Sequence, residues 1–235
     1  QNPQVLEDND ASALVISLIR GLHISYMQSR AYHGGAAFYE GILDIEWPID
    51  LTYRLRLLYV EFLLTLKNEE DFALSVVEDT SELFDEAMAV CNATEAEYEI
   101  SKIELDFYHA KALANALQLD EAIEKYESIK SIEGTDPYLL ILINTISSRL
   151  TSTDFSRAVS FISDNKDLIE KHINSEETNE SDRDDLRYLL FLCDMDVKGE
   201  VGFTDGGIIS DASYYQRYSK DKKKRIKKFK KCLDK

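Results

Sequence analysis

The chain has 235 residues, of which 44% are hydrophobic and 10% are aromatic, and this composition excludes an intrinsically disordered protein. Only 9 Gly and 3 Pro argue against a β-rich fold with many tight turns. Cys91, Cys193 and Cys232 lie far apart in the sequence and are odd in number, which indicates a reducing, intracellular compartment rather than a disulfide framework. No run of 18 apolar residues is present, so no membrane insertion is predicted.

Charge divides the chain into an acidic body and a basic tail. Residues 217–235 contain 11 Lys or Arg and 2 Asp or Glu, which gives a net charge of +9. The other 216 residues contain 16 Lys or Arg and 42 Asp or Glu, which gives a net charge of −26. Because an acidic surface repels phosphates, the body is not expected to bind nucleic acid, and only the tail is a candidate for such a contact.

The N-terminal part of the chain shows helical periodicity interrupted by short breaks. Its predicted helices span 11–31, 36–45, 51–67 and 71–91. In the first helix an apolar residue recurs every fourth position, at Leu14, Leu18, Leu22 and Tyr26, and these residues form one helix face. The sequence His-Gly-Gly at 33–35 is expected to separate the first two helices, and Pro48 is expected to end the second.

Residues suited to cap helix N-termini precede the later helices. Asp50 is expected to cap the third helix, and Asn92 or Thr94 to cap a long helix that follows. Asp136 and Asp154 occupy equivalent positions further along the chain. The remaining predicted helices span 94–116, 119–132, 137–150 and 154–173.

These helices pair naturally into units of 34–41 residues, a length that is typical of helix-pair repeats. The pairs are 11–31 with 36–45, 51–67 with 71–91, 94–116 with 119–132, and 137–150 with 154–173. One pair cannot bury its apolar face alone, so pairs stack and create a concave groove. The sequence therefore predicts an all-α fold, an α-solenoid of stacked antiparallel helix pairs over residues 1–173.

The remainder of the chain does not continue the repeat. Residues 174–185 are polar and acidic without periodicity, which predicts a flexible loop. Residues 186–235 are expected to contain a terminal helix, a Gly-rich turn or extended loop, and a basic amphipathic C-terminal helix.

The third helix pair resembles a tetratricopeptide repeat (TPR). Ala110 corresponds to the small residue at which the two helices of such a repeat cross. Ala122, Tyr126 and Ile129 correspond to the characteristic apolar positions of its second helix. Small residues matter there because helix backbones approach closely only where side chains are short. The resemblance implies a TPR-like helical array.

Residues 30–150 also resemble the N-terminal half of the tetratricopeptide subunit of the cohesin-loading complex. The likeness rests on Arg-Leu-Arg-Leu at 54–57, which follows a proline, and on a helix with Ala87 and Cys91 near its end. A long third helix pair then follows. The resemblance implies a nuclear scaffold that embraces an extended segment of a large partner protein in chromosome cohesion.

No catalytic constellation is recognisable in the sequence. Motifs for phosphate-binding loops, dinucleotide sites, zinc proteases and serine hydrolases are absent. The four histidines, His23, His33, His109 and His172, lack metal-ligand spacing, and His109 is expected to have a structural role at a helix–helix contact. We therefore predict a non-enzymatic protein without a metal or a cofactor. The alternative is an enzyme with an unrecognised site.

Polar residues on the first helix of each pair are the candidates for gripping a partner peptide in the groove. The candidates are Tyr53, Arg54, Arg56, Lys102, Asp106 and Asn144. The alternative for each is an ordinary solvated surface residue. Arg54 and Arg56 lie two positions apart, about 200° around a helix, so they cannot share one face. One of the two is expected to point inward to a carboxylate, because an arginine is buried more readily when it is paired.

The basic tail combines an apolar stripe with a charged face. The stripe contains Tyr215, Tyr218, Lys222, Ile226, Phe229 and Leu233 at helical spacing. The tail cations are Lys222, Lys223, Lys224, Arg225, Lys227, Lys228, Lys230 and Lys231. One alternative is a capping helix that docks its stripe on the last repeat. The other is a nuclear localisation signal, a contact with nucleic acid or a membrane surface, or a clamp on an acidic partner.

Together these patterns predict a protein–protein interaction scaffold that holds an extended segment of a partner in its groove. The alternative is a nucleic-acid-associated adaptor, in which the basic tail contacts RNA or DNA while the repeats hold protein.

Overall fold

The computed structural model describes residues 9–66, 68–175, 178, 180–197, 203–204 and 207–208. The described chain is all-α, as the sequence predicts, apart from one short ladder. Its helices are α1 (Asn9–Ser29), α2 (Tyr32–Leu43), α3 (Ile49–Leu63), α4 (Glu70–Glu82), α5 (Phe84–Val90), α6 (Glu95–Asn115), α7 (Leu119–Lys130), α8 (Asp136–Thr153), α9 (Phe155–Asp164), α10 (Lys166–Ile173) and α11 (Glu180–Val197). Within the Gly-rich segment, β1 (Phe203–Thr204) and β2 (Gly207–Ile208) pair antiparallel.

The chain divides into two compact units, Gln1–Ile129 and Lys130–Lys235. The division falls at the end of α7, whereas the sequence predicts one continuous array to residue 173. The hydrophobic period of a helix shows which of its faces is apolar, but it does not encode which helices share a core.

Helix α3 is the centre of the first unit. It contacts α1, α2, α4, α5 and α6. Nine of its 15 residues are buried, so the helix is enclosed on more than one side. Leu51, Leu55, Leu58 and Phe62, which recur at helical spacing along one side of the helix, all belong to the core. The third helix thus supplies the surface on which its neighbours pack.

Helix α1 buries a different face from the apolar stripe that stands out in the sequence. Leu14, Leu18 and Leu22 are 61%, 62% and 43% exposed. The buried side of α1 instead carries Ile19 and His23. Because α1 has apolar residues on two sides, its periodicity alone does not select the side that packs against α2 and α3.

The glycines expected to break the chain near residue 34 lie inside α2. A Cβ atom at Gly35 would stand 2.3 Å from Cζ of Phe62, so only glycine allows α2 to approach α3 at this point. The backbone N–H of Gly35 donates to the carbonyl of Ala31 at 3.0 Å, as in a regular helix. The His-Gly-Gly sequence is thus a packing feature rather than a break.

Two of the predicted helix caps are confirmed, and two are displaced. Oγ1 of Thr94 accepts from the backbone N–H of Glu97 at 3.3 Å, and the Glu97 carboxylate accepts from the Thr94 N–H at 2.8 Å, which completes a capping box. Asp154 accepts from the backbone N–H three residues on at 3.1 Å. Asp50 and Asp136 are not the capping residues, because their helices begin one or two residues earlier than predicted. Both lie in the first turn, where their negative charges interact favourably with the helix dipole.

In the second unit α8 contacts α9, α10 and α11. Its core includes Leu142, Ile143, Ile146, Leu150 and Ile162. The single helix predicted over 154–173 is divided at Asn165, whose side-chain amide donates to the carbonyl of Phe161 at 2.8 Å. An asparagine that bonds the backbone in this way competes with helix continuation, which explains the division.

The acidic segment predicted as a loop is partly helical. Helix α11 begins at Glu180, six residues before its predicted start. Acidic side chains near a helix N-terminus are favoured by the helix dipole, and Asp184 is also ion-paired to Arg187 at 3.2 Å. Sequence polarity alone therefore overstates the length of this loop.

A candidate binding groove on α1, α3 and α6

A cavity of about 400 Å³ opens on the first unit between α1, α3 and α6, with one residue from α5. Its polar lining consists of Ser17, Arg20, Arg54, Ser101, Glu104 and Tyr108. These residues come from the first helix of each predicted pair, which are the helices expected to line the groove of a stacked array. The cavity therefore lies where sequence reasoning expects a partner segment to bind.

A second cavity of about 270 Å³ adjoins the first and shares Arg54, Met88 and Ser101 with it. It continues towards the N-terminal ends of α3 and α6, where it is lined by Asp50 and Glu97. From residue 97 to residue 108, α6 rises about 16 Å. An extended chain advances about 3.3 Å per residue, so the two cavities together have room for about five residues of a strand-like segment.

The lining is rich in charge of both signs. Arg20 from α1 and Arg54 from α3 face Glu104 of α6, and both arginines act to lower the pKa of this carboxyl. Burial has the larger effect and raises the pKa of Glu104 above its ordinary value. Among the described residues neither arginine has a carboxylate at ion-pair distance. The arginines are thus available to a ligand.

The α6 side of the groove continues into a more buried polar region. Burial, together with the charges of Glu61 and Glu104, raises the pKa of Tyr108 far above its usual range. Burial likewise lowers the pKa of Lys111, and the negative charge of Glu61 partly offsets this shift. Nδ1 of His23 lies 2.8 Å from the Tyr39 hydroxyl, so the two side chains are hydrogen-bonded to each other.

Three of the predicted groove residues lie on α3. Tyr53 and Arg54 both line the main cavity. The Tyr53 ring is buried, and its hydroxyl donates to the carbonyl of Ser101 at 3.4 Å, so it joins α3 to α6. Arg54 is exposed and lines both cavities. Arg56 points elsewhere and donates to the backbone carbonyl of Asp79 at 3.5 Å. Within the described part of the chain, the inward arginine–carboxylate pair expected from the sequence is found at neither position.

The other three predicted residues are not brought to these cavities. Lys102 and Asp106 form an ion pair at 3.4 Å on another face of α6, where Lys125 of α7 also pairs with Asp106 at 2.9 Å. His109 lies in the same cluster, half-buried, and its pKa is lowered by burial and by Lys125. Asn144 is an exposed residue of α8 in the second unit. The basic tail, Lys222 to Lys231, lies outside the described residues.

Sequence reasoning missed Arg20, Ser101, Glu104 and Tyr108. On α6, positions 101, 104 and 108 are spaced by three and four residues, as are positions 102, 106 and 109. Each set therefore forms its own polar stripe along the helix. The sequence contains the two stripes but does not indicate which of them α7 covers.

No match is found when the chain is compared with protein-family models, with curated proteins or with solved structures. Within the described residues, no cluster of three or more His, Cys, Asp or Glu side chains is arranged to hold a metal ion. None of the helices described is both long and apolar enough to cross a membrane.

Proposed function

We propose that the chain is a non-enzymatic scaffold, built as a TPR-like α-solenoid, that holds an extended segment of a partner protein in the groove on α1, α3 and α6. The observation that carries the proposal is the pair of adjoining cavities lined by the first helices of three successive pairs. Their length suits an extended segment, and the two unpaired arginines offer charged hydrogen-bond donors to it.

The order of helix contacts in the first unit supports the solenoid architecture. In a stack of helix pairs, each second helix packs on its own first helix and on the first helix of the next pair. Here α2 contacts α1 and α3, and α4 contacts α3 and α6. The first helices also contact in sequence, α1 with α3 and α3 with α6. The second unit shows the same order, since α9 contacts both α8 and α11.

The groove proposal is tested by reversing its charges. Arg20→Glu combined with Arg54→Glu is expected to abolish co-purification of a partner that the parent protein retains. A matched control, Arg30→Glu combined with Arg56→Glu, changes the net charge equally but leaves both cavities intact. Equal retention of the partner by both double variants, measured by quantitative mass spectrometry, would contradict the groove assignment.

A narrower proposal concerns the partner and the compartment. The likeness of residues 30–150 to the cohesin-loader subunit supports a nuclear role in chromosome cohesion, with the large subunit of that loader as the partner. The test is the identity of the protein that the parent retains and the groove variant loses. A partner without any link to cohesin would reject this narrower proposal while leaving the groove proposal intact.

The second candidate function, a nucleic-acid-associated adaptor, is favoured by the segregation of charge in the sequence. The net charge of +9 within 217–235 contrasts with an acidic body that repels phosphates. Oligonucleotide binding that weakens steeply with salt, and disappears when the tail lysines are changed to Gln, would support it. The parent protein failing to bind any oligonucleotide at low salt would reject it.

A further inference from the structure

A third cavity, of about 390 Å³, lies in the first unit between α2, α3 and the start of α4. None of the described residues that line it belongs to either groove cavity. Of its ten described lining residues, four lie on α2, two on α3 and one on α4, and the other three lie between α3 and α4. The proposed function makes no use of this cavity.

Aromatic rings form its walls. Tyr59 is buried at the base, and Phe72 stands above it with ring centroids 6.1 Å apart and planes at 78°. Phe72 is 45% exposed and Tyr32, on the α2 side, is 37% exposed. Two large rings left half in water around a concave site present π-faces to whatever occupies it.

Two carboxylates complete the cavity. Oε1 of Glu40 accepts from the Tyr59 hydroxyl at 3.5 Å. Burial and the nearby negative charges of Glu40 and Glu69 together raise the pKa of Tyr59 to about 12. Among the described lining residues there is no Lys or Arg to balance these charges. In the described lining, the aromatic faces therefore stand beside two carboxylates and His33, with no Lys or Arg.

This combination selects the chemistry of an occupant. An anion would be repelled by Glu40 and Glu69. A purely apolar side chain would remove water from both carboxylates without giving them partners. A guanidinium group stacks on aromatic rings, and its fork of N–H donors can reach two carboxylates at once. An ammonium group offers the charge without the flat stacking surface.

We propose that the cavity between α2 and α4 is a binding pocket for an arginine side chain in a basic segment of a partner protein. The guanidinium lies against the exposed rings of Phe72 and Tyr32 and donates to Glu40 and Glu69. This pocket does not depend on the groove, so loss of one site leaves the other available.

The test uses the full chain and three labelled nine-residue Gly/Ser peptides whose central residue is arginine, lysine or citrulline. Citrulline keeps the shape of arginine without its charge. The arginine peptide is expected to bind at least about tenfold more tightly than the citrulline peptide, with lysine between them. The variant Glu40→Gln with Glu69→Gln is expected to lose about tenfold in affinity for the arginine peptide.

The matched control is Glu78→Gln with Glu82→Gln, two exposed positions of α4 that do not line the pocket. It has the same change in net charge, so a nonspecific attraction to the acidic protein would weaken equally in both variants. Phe72→Leu is a second pocket variant at an exposed position and tests the stacking wall even if the double variant folds poorly.

Several results would overturn the proposal. These are equal losses in the pocket and control variants, equal binding of arginine and citrulline peptides, equal binding of arginine and lysine peptides, no binding of the arginine peptide, or no effect of Phe72→Leu. Tighter binding of the arginine peptide after Arg217 and Arg225 are changed to Gln would also reject the partner assignment, because it would show that the chain's own basic segment competes for the pocket.

Discussion

The two polar stripes of α6 have similar spacing and different surroundings. On one stripe Lys102 and Asp106 pair with each other, and Lys125 of α7 pairs with the same carboxylate. On the other stripe Ser101 and Glu104 line a cavity, and Glu104 has no ion pair among the described residues. The comparison shows that a polar stripe on a helix contributes to the fold where a neighbouring helix covers it and pairs with it. It is available for binding where it lines a cavity instead.

The same contrast separates the packed side of the first unit from its groove side. Changes on the packed side are expected to alter the free energy of unfolding, because side chains there fill space or satisfy charges. Changes on the groove side are expected to alter binding with little effect on stability. Four variants test this division, beginning with the largest expected effect on stability.

Replacing Gly35 by Ala should destabilise the protein by about 3 kcal/mol, at the upper end of the usual cost of overpacking. The new Cβ atom would stand 2.3 Å from Phe62, where α2 meets α3. Gly41→Ala in the same helix is the control. A Cβ atom there meets nothing within 4 Å, so stability should rise by up to about 1 kcal/mol. Denaturant unfolding of both variants measures the difference, and similar stabilities would show that α2 does not depend on this close approach.

Ala122→Leu should cost about 2 kcal/mol, because Ala122 is fully buried on α7 and three extra carbon atoms have no space there. Ala37→Leu, at an exposed position of α2, is the control and should be close to neutral. Calorimetric melting of the two variants gives the comparison. An unchanged melting temperature for Ala122→Leu would show that α7 is not closely packed at this position.

Asp106→Asn should cost up to about 1 kcal/mol, since it leaves Lys102 and Lys125 without their shared carboxylate at a partly exposed site. The loss should shrink at high salt, because screening weakens such pairs. Glu99→Gln, an exposed change of the same charge on α6, should have no measurable effect. If the two variants unfold at the same denaturant concentration at low salt, the α6–α7 charge cluster does not contribute to stability.

Glu104→Gln should change the free energy of unfolding least, and it should stabilise the protein where Gly35→Ala, Ala122→Leu and Asp106→Asn destabilise it. Burial raises the pKa of Glu104 in the folded state above its ordinary value of 4.5, so the folded protein favours the protonated carboxyl. Protonation of this carboxyl therefore stabilises the folded state. This contribution is fully present below the pKa of the unfolded state and is lost as pH rises through the pKa of the folded state. The Gln variant should therefore be slightly more stable than the parent at neutral pH and equal to it in acid. A stability difference independent of pH between 4 and 7 would contradict a buried groove carboxylate.

Individual helices were predictable from the sequence, because their periodicity and caps are local. The buried stripe of α3 from Leu51 to Phe62 and the Thr94 capping box both follow from residues within a few positions of each other. The role of Gly35 was not predictable in this way. It depends on the Phe62 ring, which is 27 residues away in sequence and reaches the glycine only after α2 and α3 pack.

The groove was predictable only in part. Arg54 was found because it lies on a first helix of a pair, and the structure places it in both cavities. Glu104 was missed, and Lys102 was chosen in its place, because both are polar residues of α6 and differ only in which neighbouring helix they face. That choice depends on the packing angle of α7, which no local pattern in the sequence specifies.

The most direct test of the central claim places a photo-crosslinking amino acid at Ser101 in one variant and at Glu99 in another. The two positions are two residues apart, about 200° around α6, and only Ser101 lines the groove. Irradiation in the native cell, followed by mass spectrometry of the crosslinked peptides, should capture one extended segment of a partner protein from position 101 and none from position 99. Capture of the same segment at equal yield from both positions, or of no protein segment from position 101, would contradict a partner groove on α1, α3 and α6.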